Sequence, residues 1–495
     1  MSASLLLGVD VGSSGVKSIL LDVERGIIAN FNSPVNQFSD HPGWSEADTD
    51  EWWNGFTSAI PQLLKDSGVS STDIKAVSFA GMVPALVPID HEGNPVRRAM
   101  LQNDARATIE IEEIKSKLTG LDLLATTGSV ISQQWIAPTV SWLAKNESNN
   151  LNRTKAIVGS YDWMAHRLGA DLHVELNWAI ESGLFKLDGS IFNEVISAVA
   201  INWPEIPRIR RSGEQVGEVS VKAAGETGLV AGTPIIVGGA DHVLSAYGAG
   251  LSKQGDGLIK LGGAGDILAV SDKLVIDSRL YLDAHPVPNK WLPNGCMATS
   301  GSILRWEQSL FGGESLENLD LEASNENAGN LLLLPYFLGE KTPLHDPNLR
   351  GAILGFHLGT SRGDIHRAAL EAIAYGFRHH FEIFAVLGLA ITNPKVTNGG
   401  SKSRLWREIL ANVINSEITS IINHPGASFG AAVCAGMGTG LISDWAFVNG
   451  ALESGEKIAP NAKNRDIYDE RYAEFIETTR NLTGTLHNIA RSQNG

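Results

Sequence analysis

The chain has 495 residues, 43% hydrophobic and 19% charged, a globular balance that excludes a disordered chain. Its 39 basic and 55 acidic residues leave a net charge of −16, which argues against coating nucleic acid or an anionic membrane. Cys296 and Cys434 are the only cysteines, too few for a disulfide framework, and no apolar run of membrane-spanning length occurs, so a soluble cytoplasmic protein is expected. The 52 glycines are the compositional excess; they imply tight turns or close backbone approaches.

In chain order, residues 5–9 form an apolar strand, Gly12-Ser13-Ser14-Gly15 a turn, and residues 16–21 a returning strand. Glycines and small hydroxyls at a hairpin tip suit positive φ, and they leave backbone N–H groups open to an anion. Asp48-Thr49-Asp50-Glu51 opens a helix to Leu64, with an acidic first turn that favours the dipole. Strands are expected at 74–79 and 85–89, helices at 108–118 and 138–145, and a strand at 234–237 after a Pro- and Gly-punctuated connection.

Residues 257–272 repeat the strand–turn–strand pattern of the first hairpin at an offset of 250. Gly12 falls on Gly262, Gly15 on Gly265 and Asp22 on Asp272. Duplication explains this better than chance and divides the chain into related lobes, 1–248 and 249–495. Further on, Ser361-Arg362-Gly363-Asp364 reads as a capping box before a long helix. Residues 395–397 form a strand, 398–401 a turn and 404–413 a helix. The small residues of 428–437 suit a helix that packs closely on backbone or a flat ring.

Three glycine-rich turns therefore follow strands, at 12–15, 262–265 and 399–401. None fits the Walker pattern or the dinucleotide fingerprint. Two hairpins could grip a polyphosphate from opposite sides, and the third turn opens a helix whose N-terminus could take part of a nucleotide. Asp10, at the end of the first strand, either caps the turn or holds Mg²⁺. Lys17 either reaches a phosphate or is a surface lysine. Asp241 follows a strand and two glycines; it is either a helix N-cap or a base for an alcohol that attacks phosphorus. Asp171-Leu172-His173-Val174-Glu175 puts three polar groups on one strand face, and His379-His380 lies on a helix. Neither has metal-site spacing, so structural roles are expected. Asn103-Asp104-Ala105-Arg106 is either a polyol-binding set or a surface salt bridge. Most of the tryptophans are expected in the core.

Taken together, these residues resemble the FGGY carbohydrate kinases over nearly the full length and in order. The resemblance rests on Val9-Asp10-Val11-Gly12-Ser13-Ser14-Gly15-Val16-Lys17, Gly43-Trp44-Ser45-Glu46 before Trp52-Trp53, Gly238-Gly239-Ala240-Asp241 and Gly262–Gly265. It continues through Gly351–Glu371 and Gly399-Gly400-Ser401-Lys402-Ser403 with Trp406. It implies an α/β fold of two duplicated ribonuclease H-like lobes, of actin/hexokinase type, around an interlobe cleft. It also implies ATP-dependent phosphorylation of a sugar or polyol hydroxyl, with a ketopentose or pentitol as the leading class. Asp241 would be the base and Asp10 the Mg²⁺-associated carboxylate. Gly12, Ser13, Ser14, Lys17, Gly262, Gly263 and Gly265 would cradle phosphate, with Gly301 and Arg305 near the γ-phosphate. Gly399, Gly400, Ser401 and Arg404 would line the adenine side. Met82, Asn103, Asp104, Arg106, Gln134 and Trp135, with Asp241, would meet the sugar. A homodimer is the family-based expectation, with no nucleic-acid or membrane partner.

The chain departs from the xylulokinase pattern at several points. Gly81-Met82-Val83-Pro84 stands in place of Gln-Met-His-Gly, Gly263 in place of a hydroxyl residue, Thr139 in place of a lysine, and Phe356 in place of an aliphatic. The alternatives are a non-catalytic sugar or nucleotide sensor, an actin-like ATPase, and a kinase for another polyol such as erythritol or glycerol.

Overall fold

The computed structural model describes residues 4–494, which form two units. The first takes in the chain through Ser252, Leu282–Lys290 and Pro425–Ala451; the second takes in Lys253–Tyr281, Trp291–His424 and the chain from Leu452 onward. The expectation of one boundary after residue 248 thus meets an interleaved partition, because two later segments pack with the first unit. No helix among the described residues is long and apolar enough to cross a membrane.

The first unit is built on β1 (Leu5–Val11), β2 (Gly15–Asp22), β3 (Gly26–Pro34), β4 (Ile74–Gly81), β5 (Gln215–Glu218) and β6 (Pro234–Ala240). Their sheet order is β3-β2-β1-β4-β6-β5. β1 runs antiparallel to β2 and parallel to β4, and β4 runs parallel to β6. Every residue of β1 is buried, which is why it reads as a continuous apolar run rather than an alternating one.

The second unit contains β7 (Asp256–Leu261), β8 (Gly265–Ala269), β9 (Trp291–Met297), β10 (Asn393–Thr397), β11 (Ile418–Ile422) and β12 (Glu453–Ile458). Their order is β9-β8-β7-β10-β11-β12, with the same alternation of antiparallel and parallel neighbours. The duplication expected from two glycines and an aspartate is therefore written into the strand order. The copies differ in charge: Asp10 faces Lys17 across the first hairpin, whereas Lys260 faces Asp266 across the second.

The hairpin glycines have a different cause from the one expected. None of Gly12, Gly15, Gly262, Gly263 and Gly265 is among the positive-φ residues. Close approach is the reason instead. A Cβ on Gly15 would lie 2.6 Å from Asn32 Oδ1, and one on Gly265 would lie 2.9 Å from the Phe377 ring. The strand before Asp241 also runs on to Ala240, past the expected end at 237. Its register shifts between Val237 and Gly239. A Cβ on Gly238 would stand 2.0 Å from the Phe79 carbonyl oxygen, so glycine permits the irregularity there.

The helix Thr49–Ser67 starts as expected, with Asp48 accepting from the Asp50 N–H, and ends at Gly68 with φ of 69°. The small-residue helix Gly426–Thr439 packs on β1, β4 and β6 of the first unit. It meets backbone rather than a ring.

In the second unit, the helix Arg362–Val386 carries the expected Ser361/Asp364 capping box. Its His366 is fully buried, with Nδ1 2.8 Å from Glu307 and Nε2 2.9 Å from Asp320. It ties the helices Gly301–Leu310 and Leu316–Ser324 to the long one. Burial alone would lower its pKa, but hydrogen bonds to Asp320 and Glu307 raise it from 6.5 to about 9. A raised pKa stabilises the fold fully below 6.5, and that contribution is lost as pH rises through 9. Thermal midpoints are therefore expected to fall between pH 6.5 and 9, and His366→Gln to flatten that slope. An unchanged slope in the variant would refute the assignment.

Candidate active site

β1, β4 and β6 are parallel neighbours, with Asp10 level with Ala80 and Ala240 level with Gly81. Asp10 and Asp241 thus sit at the carboxyl ends of parallel strands, where open α/β sheets place ligands. Asp10 is 8% exposed, and its Oδ1 is buried without a hydrogen-bond partner. Burial, then the charge of Asp241, raises its pKa to about 7 against the opposing pull of Lys17. A buried carboxylate oxygen with no donor suits a cation.

Asp241 is the first residue of the helix Asp241–Gly248, and Ala240 occupies the cap position that sequence alone had offered to Asp241. Its side chain is about one-third exposed, and Oδ1 accepts from the His242 backbone N–H at 2.6 Å. The His242 ring lies between two carboxylates: Nδ1 is 3.6 Å from Asp241 and Nε2 is 2.8 Å from Asp283. Glu181 completes a cluster in which one ligand atom from each of Glu181, His242 and Asp283 lies within 4.8 Å of the others. Sequence reasoning missed Glu181 and Asp283. No motif marks them, and Asp283 belongs to a segment that joins the first unit only in three dimensions.

Nearby, Glu175 accepts from the Tyr161 hydroxyl at 2.9 Å and from the Asn177 N–H at 2.9 Å. Its backbone N–H donates to Asp162. Burial raises Glu175 to about 7 and lowers His173 to about 4. His173 and Glu175 are buried, whereas Asp171 is exposed, so the three do not share one face.

The first hairpin exposes Ser13, Ser14 and Lys17, and Gly12 N–H donates to Gly15 O at 3.0 Å. In the second unit, segments far apart in sequence meet. The backbone N–H groups of Ser300 and Ser302 donate to Gly263 O, and that of Gly301 donates to Gly262 O. A Cβ on Gly262 would lie 3.2 Å from the Asn398 side chain, and one on Gly400 would lie 2.7 Å from Leu261 and 2.3 Å from the Trp406 ring. The turn at Gly399 is a 3₁₀ segment, Gly399–Lys402, with Ser401 Oγ donating to Asn398 O. Arg404 is exposed and pairs with Glu408 and Glu456. Arg305 is exposed, and its guanidinium lies 2.7 Å from where a Gly263 Cβ would stand.

The expected sugar residues fare differently. Arg106 is not a surface salt bridge. Its side chain is 1% exposed, bonded to Asp104 and Glu46, and stacked 3.7 Å from the Trp44 ring centroid. Asp104 also accepts from the Ser45 N–H, and Ser45 Oγ donates to the exposed Asn103. The guanidinium therefore supports Asn103 through Asp104 and Ser45. Trp135 is a core side chain without an open ring face. It is 1% exposed, its indole N–H donates to Ser129, and Gly183 lies flat on its ring. Met82 is buried and Gln134 half-buried.

The doubled α/β architecture places carboxylates at the ends of parallel strands and lines the second hairpin with glycine, an arrangement that fits the fold class of the carbohydrate kinases. Residues 5–248 match the N-terminal domain of the FGGY family of carbohydrate kinases, and residues 271–439 match its C-terminal domain. The chain belongs to that family. It is 29% identical to a xylulose kinase of Staphylococcus epidermidis (strain ATCC 12228), over 99% of this chain and 100% of the relative. Among solved structures, the xylulose kinase from Rhodospirillum rubrum superposes with a TM-score of 0.92 at 34% identity, covering 98% of this chain and 100% of that one. The Plasmodium falciparum glycerol kinase with ADP shares the fold, at a TM-score of 0.86 and 19% identity, covering 96% of this chain and 98% of that one.

Proposed function

We propose that the enzyme transfers the γ-phosphoryl group of ATP to a hydroxyl of a ketopentose or related polyol, with Asp241 as the general base. The likeness to xylulose kinases supports the substrate class, and ADP in the glycerol kinase relative supports the nucleotide. The observation that carries the reading is the Asp10–Asp241 pair at the carboxyl ends of β1 and β6, with one buried, donor-free carboxylate oxygen.

In this reading the Asp241 carboxylate takes the acceptor hydroxyl's proton as its oxygen bonds to phosphorus and the bond to ADP breaks. Asp10 would hold Mg²⁺, which offsets phosphate charge when bound. Each hairpin offers backbone N–H groups to phosphate oxygens, with Lys17 on the first and Arg305 beside the second as cations. Gly301, Gly399, Gly400, Ser401 and Arg404 form the nucleotide side, and Asn103 and Gln134 the sugar side. Gly263 by itself would favour a non-catalytic sensor, since it removes a hydroxyl. Arg305 occupies the space above that glycine and supplies a cation in its place.

The test is coupled ADP release over D-xylulose, both ribuloses, pentitols, erythritol and glycerol. Sugar-dependent release supports the reading; binding without turnover, or sugar-independent hydrolysis alone, overturns it. Asp10→Asn tests the cation role. Because the pKa is raised, the contribution of Asp10 to stability is full below 3.8 and lost as pH rises through 7. The variant is therefore expected to melt no lower than the wild type at pH 8, while kcat falls on the order of 10²–10³. A large loss of thermal midpoint with little loss of kcat would contradict this.

A further inference from the structure

His242 has a carboxylate on each edge of its ring. Nε2 is 2.8 Å from Asp283 Oδ2, and Nδ1 is 3.6 Å from Asp241 Oδ1. A neutral imidazole donates from one nitrogen only, so it would turn an acceptor lone pair toward one of these carboxylates. The doubly protonated ring hydrogen-bonds Asp283 and turns an N–H and positive charge toward Asp241. Glu181 adds a third carboxyl group, which shares a hydrogen bond with Asp283 while its Oε1 is buried without a partner. Three ionised carboxylates around one cation would leave the site strongly negative; a proton on Glu181 removes one charge and supplies the donor to Asp283.

We propose that His242 is a positioning residue for phosphoryl transfer: clamped by Asp283 and Glu181, it stands as an imidazolium beside Asp241 and keeps that carboxylate ionised and aimed. This rests on the assignment of Asp241 as the base. Asp10 and Asp241 repel each other as carboxylates, and the imidazolium offsets that repulsion on the Asp241 side. The groups that face the ring are Asp241 from its own helix, Asp283 from the 282–290 segment, and Glu181 from the helix Leu176–Glu181. Behind them, Glu175 acts on Asp283, and Asp10, itself opposed by Lys17, acts on Asp241. Burial alone would lower the His242 pKa, but Asp283, Asp241 and Glu181 together raise it well above its ordinary value. Burial and Asp283 push Glu181 well above the carboxylate range.

The test has a spectroscopic arm and a kinetic arm, both on the full chain. Histidine-labelled protein is titrated by NMR, with the His242 resonance assigned by its loss in His242→Asn. It is expected to stay doubly protonated at pH 7, and to lose its second proton at lower pH in Asp283→Asn than in the wild type. In kinetics, His242→Asn and Asp283→Asn are expected to move the acid limb of the kcat profile up by about one unit, with KM for ATP within about twofold. Glu181→Gln keeps a neutral donor, so its limb is expected to stay at the wild-type position. A His242 that is neutral at pH 7, an acid limb unmoved in both variants, or a Glu181→Gln limb shifted as far as that of Asp283→Asn overturns the proposal. So does titration of the His242 signal by micromolar Zn²⁺, which would give the cluster to a cation. Failure of every sugar in the turnover panel would sink the kinase reading instead, and the NMR arm would still decide the state of His242.

Discussion

Asp241→Asn is expected to lower kcat on the order of 10²–10⁴, the range for loss of a general base, while ATP binds with unchanged affinity. Asparagine keeps the volume and can still accept the His242 N–H that Asp241 Oδ1 receives at 2.6 Å. It cannot take a proton from the acceptor hydroxyl. Asp241 heads a helix in the first unit, whereas Gly262, Gly263, Gly301, Arg305 and Gly400 all belong to the second. Nucleotide affinity and base chemistry should therefore separate. Stopped-flow turnover beside calorimetric ATP titration checks both halves. Near-normal turnover would remove Asp241 from the mechanism, and a parallel loss of ATP affinity would mean that the substitution acts through the fold.

The second large effect concerns stability. Gly8→Ala is expected to destabilise the protein by about 4 kcal/mol or more, enough to lower its thermal midpoint well below that of the wild type. A Cβ there would stand 1.9 Å from the Ser428 carbonyl oxygen and 2.7 Å from the Ala432 amide nitrogen. Both obstacles are backbone of the helix Gly426–Thr439, so no side-chain rotation relieves them. Displacing the helix would open the core around Leu6, Ala432 and Val433. Gly225→Ala is the matched control. It lies in the helix Val221–Thr227 with nothing within 4 Å of the new methyl, so a gain of about 0.5–1 kcal/mol is expected. Thermal unfolding of the two variants side by side decides the matter. Equal midpoints would show that the helix is not packed so closely on β1.

The contrast between Gly8 and Gly225 also shows what a sequence conceals. Both read as one more glycine in a glycine-rich chain. Only the path of a segment 420 residues further on makes the first indispensable. The hairpin glycines invite the same error. Turn chemistry suggested positive φ, whereas the backbone is ordinary there and the crowding comes from Asn32 and Phe377.

Arg106 and Trp135 were legible as residue types that can bind a sugar, but not as buried. Burial depends on Glu46, Trp44 and Gly183, which arrive from other parts of the chain. Asp10 and Asp241 stood out as candidates because one lies near the end of an apolar strand and the other just after one, each beside glycines. Glu181 and Asp283 were not, because they lie in unremarkable local surroundings and gain meaning only from the ring of His242 between them.

Local pattern therefore carried the doubled hairpin, the strand ends, the capped helices and the two central carboxylates. Those features rest on neighbours within a few residues, and backbone sterics and hydrogen bonding act at that range. Tertiary structure alone decided which glycines are irreplaceable, which polar side chains stay open to a ligand, and which groups stand around Asp241. Such questions turn on close packing and charge between segments hundreds of residues apart, and no spacing along the chain encodes them.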